Sequence, residues 1–226
     1  MDVVCSGVVV LMILGIAPVP VAIAGTESAV NLEAEALLES GWWGVNTTAR
    51  NVSAHCQWPG IICNDAGSVT EILLPNYGIL DDLTNFSFSS FPNLVRLDLS
   101  GNALDGAIPH QIGALTKITY LNLSSNHLRG AENQIHGSVP PEIGNLKNLK
   151  YLNLAFNRLT GQIPSTLGNL TALTSLILSS NQISCSIPHE LFNIPFLEFL
   201  DISSNQIIGS IPIQFGDDII KSSGTI

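Results

Sequence analysis

Apolar and polar residues alternate over short stretches that return along the chain at a nearly constant spacing. Each stretch reads Leu-x-Leu-x-x-Asn or a close variant. Its first leucine is Leu97, Leu121, Leu152, Leu176 or Leu200, with spacings of 24, 31, 24 and 24 residues. Ile72 holds this position in an earlier, weaker unit. Such alternation is the period of a half-buried strand, and one short strand cannot bury its apolar edge alone. The pattern therefore predicts about six like units, stacked through parallel strands around a shared core.

An asparagine follows each of the five stronger strands at the same offset. An inward Asn at a turn can satisfy backbone N–H and C=O groups that the bend leaves unpaired. Stacked copies are therefore predicted to form a structural ladder, made of Asn102, Asn126, Asn157, Asn181 and Asn205. We call this set the asparagine ladder.

Each unit then continues through Gly-x-Ile-Pro or a close variant, as in the stretch from Leu149 to Leu170. With the 24-residue period, this motif resembles the plant-type leucine-rich repeat, and the resemblance covers roughly two thirds of the chain. It implies an α/β solenoid in which residues 69–216 form a right-handed, curved stack of about six units. In that family the parallel strands line the concave face.

The first 24 residues read as a signal peptide. The stretch from Val3 to Ala24 carries no charge and ends on the small-residue site Ala22-Ile23-Ala24, so we expect cleavage after Ala24. An uncleaved membrane anchor is the alternative, although Pro18 and Pro20 would disturb a spanning helix. The sequence therefore predicts secretion.

Residues 25–68 are predicted to cover the open edge of the first unit. A helix is expected where Leu32, Ala36 and Leu37 fall on one side, with Gly41 as its stop. Cys56 and Cys63 follow in CQWPGIIC, at a spacing that suits a disulfide in an oxidising compartment. A zinc site is disfavoured because His55 is the one histidine nearby. The segment resembles the N-terminal cap of plant receptor-like kinase ectodomains, in which a cysteine pair likewise flanks a Trp and a Gly.

Cys185 stands where other units place a glycine, at Gly106, Gly137, Gly161 and Gly209. It lies four units beyond the cap, about 20 Å at the usual strand spacing, so it cannot pair with either cap cysteine. We expect a half-buried thiol, with an intermolecular disulfide as the alternative.

Charge excludes two classes of partner. The net charge is −10, and it becomes −9 when Asp2 leaves with the signal peptide. Such a balance repels nucleic acid and anionic lipid. Asn-x-Ser/Thr acceptors favour passage through the secretory pathway and predict N-glycans at Asn46, Asn51, Asn85, Asn122 and Asn169. The side chain of Asn122 should project from the concave face, where a glycan would obstruct a binding partner. Either that site is unmodified or partners approach along another edge.

Partner binding is expected on strand side chains that point away from the core. Alternation about the two leucines assigns to this face Arg96, Asp98, Tyr120, Asn122, Tyr151, Asn153, Ile177, Phe199 and Asp201, with Phe156 beside it. Rigid aromatic anchors are typical of peptide and protein binding. The alternative is packing between neighbouring strands, such as Tyr120 against Tyr151, at under about 1 kcal/mol per pair.

Two departures from the repeat bear on this reading. The 31-residue spacing contains seven extra residues, which are expected to loop out around Ala131 to Gly137. Residues 217–226 are expected to be a short tail without a cysteine-paired cap. An uncovered last unit would expose Ile202, Ile211 and Phe215 unless the tail folds over them.

Catalysis is not expected. The five histidines lie in different units and loops, and the sequence indicates neither a nucleophile with its base nor a metal or cofactor site. The resemblance instead implies a secreted or cell-surface recognition module that binds a peptide or protein, with a co-receptor as a further partner. A secreted inhibitor of a cell-wall hydrolase, similar to the polygalacturonase-inhibiting proteins, is the alternative. A shortened receptor without independent activity is a third interpretation.

Overall fold

The computed structural model describes residues 32–43, 52–129, 139–209 and 220–221. The predicted leader, the predicted acceptors Asn46 and Asn51, and the expected loop of seven extra residues lie outside these ranges, as do Ile211 and Phe215. The strands in chain order are β1 (Ile61–Cys63), β2 (Val69–Leu73), β3 (Arg96–Asp98), β4 (Tyr120–Asn122), β5 (Tyr151–Asn153), β6 (Thr160–Gly161), β7 (Ser175–Ile177), β8 (Gln182–Cys185), β9 (Phe199–Asp201), β10 (Gln206–Ile207) and β11 (Ile220–Lys221).

One eight-stranded sheet runs along the described chain in the order β1-β2-β3-β4-β5-β7-β9-β11. The pair β1 and β2 is antiparallel, and every later neighbour pairs in parallel. We number the units 1 to 6 by the strands β2, β3, β4, β5, β7 and β9. The predicted parallel stack is confirmed.

The interior row of the stack is in strict register. The six marker residues pair Cα to Cα along the sheet and are fully buried: Ile72, Leu97, Leu121, Leu152, Leu176 and Leu200. The second leucine of each later strand, such as Leu99 and Leu123, is buried beside this row. One continuous apolar core therefore runs through all six units.

Short elements close each coil behind the sheet. A three-stranded parallel sheet joins β6, β8 and β10, and isolated bridges continue its pairing at Asp105 and Arg129. Single 3-10 turns then lead back toward the next strand: Phe88–Ser90, His110–Ala114, Pro141–Asn145, Ser165–Asn169 and His189–Asn193. Most of them follow the Ile-Pro step, whose proline supplies the extended residue before the turn.

The first described element of the cap is a helix at residues 32–39, which we call α1. Ala36 and Leu37 are buried as expected, but Leu32 is 55% exposed, so that part of the prediction was wrong. The buried side of α1 is formed by Glu33, Ala34, Ala36 and Leu37 instead. Gly41 has φ +71°, the left-handed conformation that ends many helices.

Aromatic stacking joins this cap to unit 1. Trp42 stacks on Phe86 at 4.6 Å between ring centroids, and Phe86 stacks on Phe91 at 4.9 Å. The disulfide between Cys56 and Cys63 is present as predicted, and it ties the 3-10 turn Val52–Gln57 to β1. The cap is thus held by contacts that occur once, not by a repeated pattern.

A buried carboxylate fixes α1 against β2. Glu33 is 1% exposed and accepts hydrogen bonds from the Ser68 hydroxyl at 2.6 Å and the Val69 amide at 2.8 Å. Burial raises the pKa of Glu33, and these two bonds and nearby His55 partly oppose that rise.

Two findings concern the last units. β11 pairs in parallel with β9, so Ile220 and Lys221 extend the sheet beside unit 6. Cys185 is exposed, which corrects the expectation of a half-buried thiol. Its φ of +69° matches the left-handed conformation of Gly106 and Gly161, and this backbone turns the side chain outward at the end of β8.

Candidate functional site

We define the concave face as the outward side chains of β2, β3, β4, β5, β7 and β9. The first residues of β3, β4 and β5 form a continuous stack across units 2 to 4. The Arg96 guanidinium lies 4.2 Å from the Tyr120 ring centroid, and the Tyr120 and Tyr151 rings are parallel within 5° at 4.6 Å. The spacing follows from strand pairing, since Arg96, Tyr120 and Tyr151 are register partners. The packing of Tyr120 against Tyr151, which the sequence analysis gave as the alternative, is therefore present. All three side chains are nevertheless partly exposed.

Asp98 and Asn122, the last residues of β3 and β4, are not free to meet a partner. They are 9% and 8% exposed, which corrects the expectation that both project into solvent. Asp98 Oδ1 accepts from the Ser100 amide and hydroxyl, and Asn122 Oδ1 accepts from those of Ser124. Short polar side chains make such bonds to the residue two positions on. Their role is to shape the strand ends.

The same two residues hold the Tyr120 ring in place. The Tyr120 hydroxyl donates to Asp98 Oδ2 at 3.3 Å and accepts from Asn122 Nδ2 at 3.4 Å. Burial, followed by the Asp98 charge, raises the pKa of Tyr120, so the phenol stays protonated at neutral pH. Tyr151 is held in a similar way by Asn153 Nδ2 at 3.2 Å. The aromatic stack is thus a preorganised platform.

The concave face changes character beyond unit 4. Ile177 and Phe199 are partly exposed, and the outward residues of unit 5 are otherwise small. Asp201 repeats the arrangement of Asp98, accepting from the Ser203 amide and hydroxyl. Phe156, which follows β5 in the turn, is 63% exposed. Nine of the ten expected residues thus lie on the outward side of the strands, and Phe156 lies in the turn beside them; eight of the ten are accessible to differing degrees.

The asparagine ladder lies at the inner side of the turns. Asn126 Nδ2 donates to the Leu99 carbonyl of the preceding unit at 2.9 Å and to its own Leu123 carbonyl at 3.1 Å. Its Oδ1 accepts from the Leu104 amide. Asn102, Asn157, Asn181 and Asn205 make the same bonds to the carbonyls of the preceding and the same unit. These side chains join units and are not offered to a ligand.

The predicted glycan acceptors differ in accessibility. Asn85 and Asn169 are exposed. Asn122 is buried, with its Nδ2 bonded to Tyr120, so its environment disfavours a glycan and leaves the concave face open.

Metal binding finds no support at the cysteines. His55, Cys56 and Cys63 bring their ligand atoms within 4.8 Å of one another, but both sulfurs are spent in the disulfide. A disulfide lacks the thiolates that zinc requires. Among the described residues, no helix has the length and apolar character to span a membrane.

Sequence reasoning missed two features of the site. The Asp-x-Ser and Asn-x-Ser spacing at Asp98 and Asn122 is a signal for side-chain-capped turns and could have indicated their burial. Glu33 carried no such signal, because an acidic residue in a short polar helix is usually solvated.

Family models match most of the repeat region. The model described as Leucine rich repeat matches residues 68–128 and 147–207, and a second Leucine Rich Repeat model matches residues 117–146. A probable leucine-rich repeat receptor-like protein kinase of Arabidopsis thaliana is 41% identical over 98 residues, covering 38% of this chain and 9% of the relative. The chain thus spans less than a tenth of that protein's length.

Solved structures extend the similarity to the fold. The ectodomain of the Arabidopsis thaliana receptor kinase SOBIR1 matches with a TM-score of 0.66 and 25% identity, covering 80% of this chain and 96% of that one. The Arabidopsis receptor kinase HAESA, in complex with the peptide hormone IDA and the co-receptor SERK1, matches with a TM-score of 0.59 and 26% identity over 82% and 39% of the two chains. With its register, its asparagine ladder and these matches, the chain belongs to the leucine-rich repeat family and resembles plant receptor-like ectodomains.

Proposed function

We propose that this chain is a non-catalytic, extracellular recognition module that binds a peptide or protein on its concave face. The observation that carries the proposal is the partly exposed stack of Arg96, Tyr120 and Tyr151, in which hydrogen bonds to Asp98, Asn122 and Asn153 hold the two tyrosines and Arg96 lies over the Tyr120 ring. Rigid aromatic and arginine side chains give large contact area at a low entropic cost and dominate many protein interfaces.

Similarity to receptor ectodomains supports the same function. HAESA is solved with a peptide hormone and a co-receptor, and it shares this fold. We infer that this chain presents its sheet in a comparable way, to a peptide or protein ligand and to a co-receptor as a second partner. This proposal includes secretion with cleavage of the leader after residue 24, and glycans at Asn85 and Asn169. It divides the rest of the chain into a cap at residues 25–68, repeats at 69–216 and a tail at 217–226.

Recognition requires no chemical step at this face. The Tyr120 hydroxyl already donates to Asp98, and the raised pKa keeps it protonated at neutral pH, so it serves as a fixed polar contact. The apolar rings supply contact area, while Arg96 in unit 2 and Asp201 in unit 6 supply charged contacts. Signalling would then depend on the partner that the complex recruits.

The test compares a variant lacking the stack with the unaltered chain. Tyr120→Ala/Tyr151→Ala should abolish capture of proteins and peptides from plant cell-wall fluid by the secreted chain, as measured by mass spectrometry. Tyr77→Ala, which removes an exposed tyrosine outside the sheet, is the matched control. Circular dichroism should show that all three proteins are folded. Unchanged capture by the folded double variant contradicts the proposal, and capture of a hydrolase whose activity falls on binding favours the inhibitor alternative.

A further inference from the structure

The turn after each strand contains a residue in the left-handed conformation. In units 2 to 6 this residue directly precedes the ladder asparagine. Its φ lies between 53° and 68° at the six equivalent positions, Asn76, Gly101, Ser125, Phe156, Ser180 and Ser204. Five of the six are Gly, Asn or Ser, which fits a conformation that strains larger side chains. A phenylalanine at this position therefore departs from the local requirement.

The fold does not account for the aromatic ring. The backbone of Phe156 makes the bonds expected of any residue here, since its amide donates to the Ser179 carbonyl at 3.0 Å and its carbonyl accepts from the Asn126 amide at 3.1 Å. The side chain is 63% exposed and stacks on no other ring within the described residues. Backbone strain combined with an exposed apolar ring points to a function, because both features oppose stability.

Phe156 lies next to unit 5, because its amide donates to the Ser179 carbonyl of that unit. The outward residues of unit 5 include Ser175, Ile177 and Ser180, all partly exposed. Tyr151 lies beside them on the unit 4 side and Phe199 on the unit 6 side, because each is the register partner of Ser175. An apolar side chain laid over unit 5 would thus lie between aromatic rings.

Charge indicates the remaining chemistry of the occupant. On the unit 6 side, exposed Glu198 precedes β9 and Asp201 lies within it. On the unit 4 side, exposed Lys150 precedes β5. The whole chain carries a net charge of −10. A basic ligand is therefore attracted to unit 6, and an acidic ligand is repelled.

We propose that Phe156 is the specificity-determining anchor of the concave face, and that it seats an apolar side chain of an extended, basic peptide over unit 5. The inference rests on the proposed function and narrows it to one residue, one part of the sheet and one ligand class. The anchor acts by apolar contact with the ligand, so its removal should change affinity without changing the fold.

A random dodecapeptide phage library provides the probe. Peptides selected on the intact chain are synthesised, and their affinities are measured by isothermal titration calorimetry for the unaltered chain, Phe156→Ser and Phe196→Ser. Phe196 is the matched control, because it is 64% exposed and lies outside the sheet strands. We expect peptides with an apolar residue next to Lys or Arg, an affinity loss of at least about tenfold in Phe156→Ser, and a change below about twofold in Phe196→Ser.

Thermal unfolding of the same proteins separates binding from stability. Serine already occupies this conformation in units 3, 5 and 6, so Phe156→Ser should melt at the same temperature or higher. A lower melting temperature shows that the ring stabilises the fold and overturns the inference.

The outcomes distinguish the role of Phe156 as an anchor from the proposed binding function of the concave face. Equal affinity in Phe156→Ser, with a loss in Tyr120→Ala/Tyr151→Ala, overturns the anchor and leaves the proposed function in place. Equal affinity in both variants overturns both. Selected peptides that are acidic, or that lack an apolar residue, overturn the assigned ligand class.

Discussion

The cap and the repeats cover the same apolar stack by different means. Units 2 to 6 each contain a fully buried leucine in register and an asparagine that binds carbonyls of two units. The cap uses contacts that occur once: stacked aromatic rings, a disulfide and the buried carboxylate of Glu33. Because the same contacts recur in the repeats, substitutions on their outer surface leave the interior packing unchanged. In the cap each stabilising contact occurs once, so its stability depends on each of these residues.

The largest expected effect is in the interior row of the repeats. Leu152→Ala removes a fully buried side chain between two neighbouring units and should destabilise the chain by about 2–5 kcal/mol. Urea unfolding followed by circular dichroism measures the loss. Lys150→Ala, at an exposed neighbouring position, should change stability by under about 0.5 kcal/mol. Equal effects of the two variants would show that the interior row does not dominate stability.

Loss of the disulfide should weaken the cap more than the repeats. Cys56 and Cys63 are seven residues apart, and closing so short a loop stabilises by about 2.5 kcal/mol in the chain-entropy account. Cys56→Ser/Cys63→Ser should therefore lose hydrogen-exchange protection in β1 and β2 while β5 and β7 keep theirs. Simultaneous loss of protection in all four strands contradicts a separable cap.

A smaller effect of opposite sign is expected at Cys185. The residue has φ +69°, and glycine occupies the equivalent positions at Gly106 and Gly161. Cys185→Gly should stabilise by about 1 kcal/mol, because glycine carries no penalty in this conformation. Ser184→Gly, one residue earlier in β8, is the control and should destabilise. Differential scanning calorimetry decides between gain and loss, and a loss in Cys185→Gly refutes the strain.

The smallest effect concerns the pH dependence of the cap. Burial raises the pKa of Glu33 above its ordinary value of 4.5, so the folded state holds this proton more tightly than the unfolded state. The resulting stabilisation is complete below pH 4.5 and is lost as pH rises through the higher folded-state pKa. Glu33→Gln cannot titrate, so the stability difference between the two proteins should vary over that window. A difference that is constant with pH contradicts the raised pKa.

Periodicity predicted the repeats because each interior contact recurs. The 24-residue spacing of Leu97 and Leu121 was enough to expect their register, and the constant offset of Asn126 and Asn157 was enough to place them at turns. The resemblance to plant ectodomains and the cysteine spacing gave the disulfide, which is present. Each structural position of the repeat was thus predicted several times, once from each unit.

Where a contact occurs once, the sequence pattern predicts less of the structure. Leu32 was expected to pack and is exposed, whereas Glu33 is buried, because the orientation of α1 depends on the donors Ser68 and Val69 at the start of β2. Alternation placed Asp98 and Asn122 on the outer side of their strands, but it does not report how far a side chain folds back onto its own backbone. Such local hydrogen bonds compete with projection into solvent.

The asparagine ladder spans two chain distances with one geometry. Asn126 reaches the Leu99 carbonyl over 27 residues, and Asn157 reaches the Leu123 carbonyl over 34 residues, both at 2.9 Å. The coil that joins the units can therefore gain seven residues while the spacing of the strands stays the same. Insertions and deletions can therefore accumulate between the units during evolution. New loops can form there without a compensating change in the strands or the core.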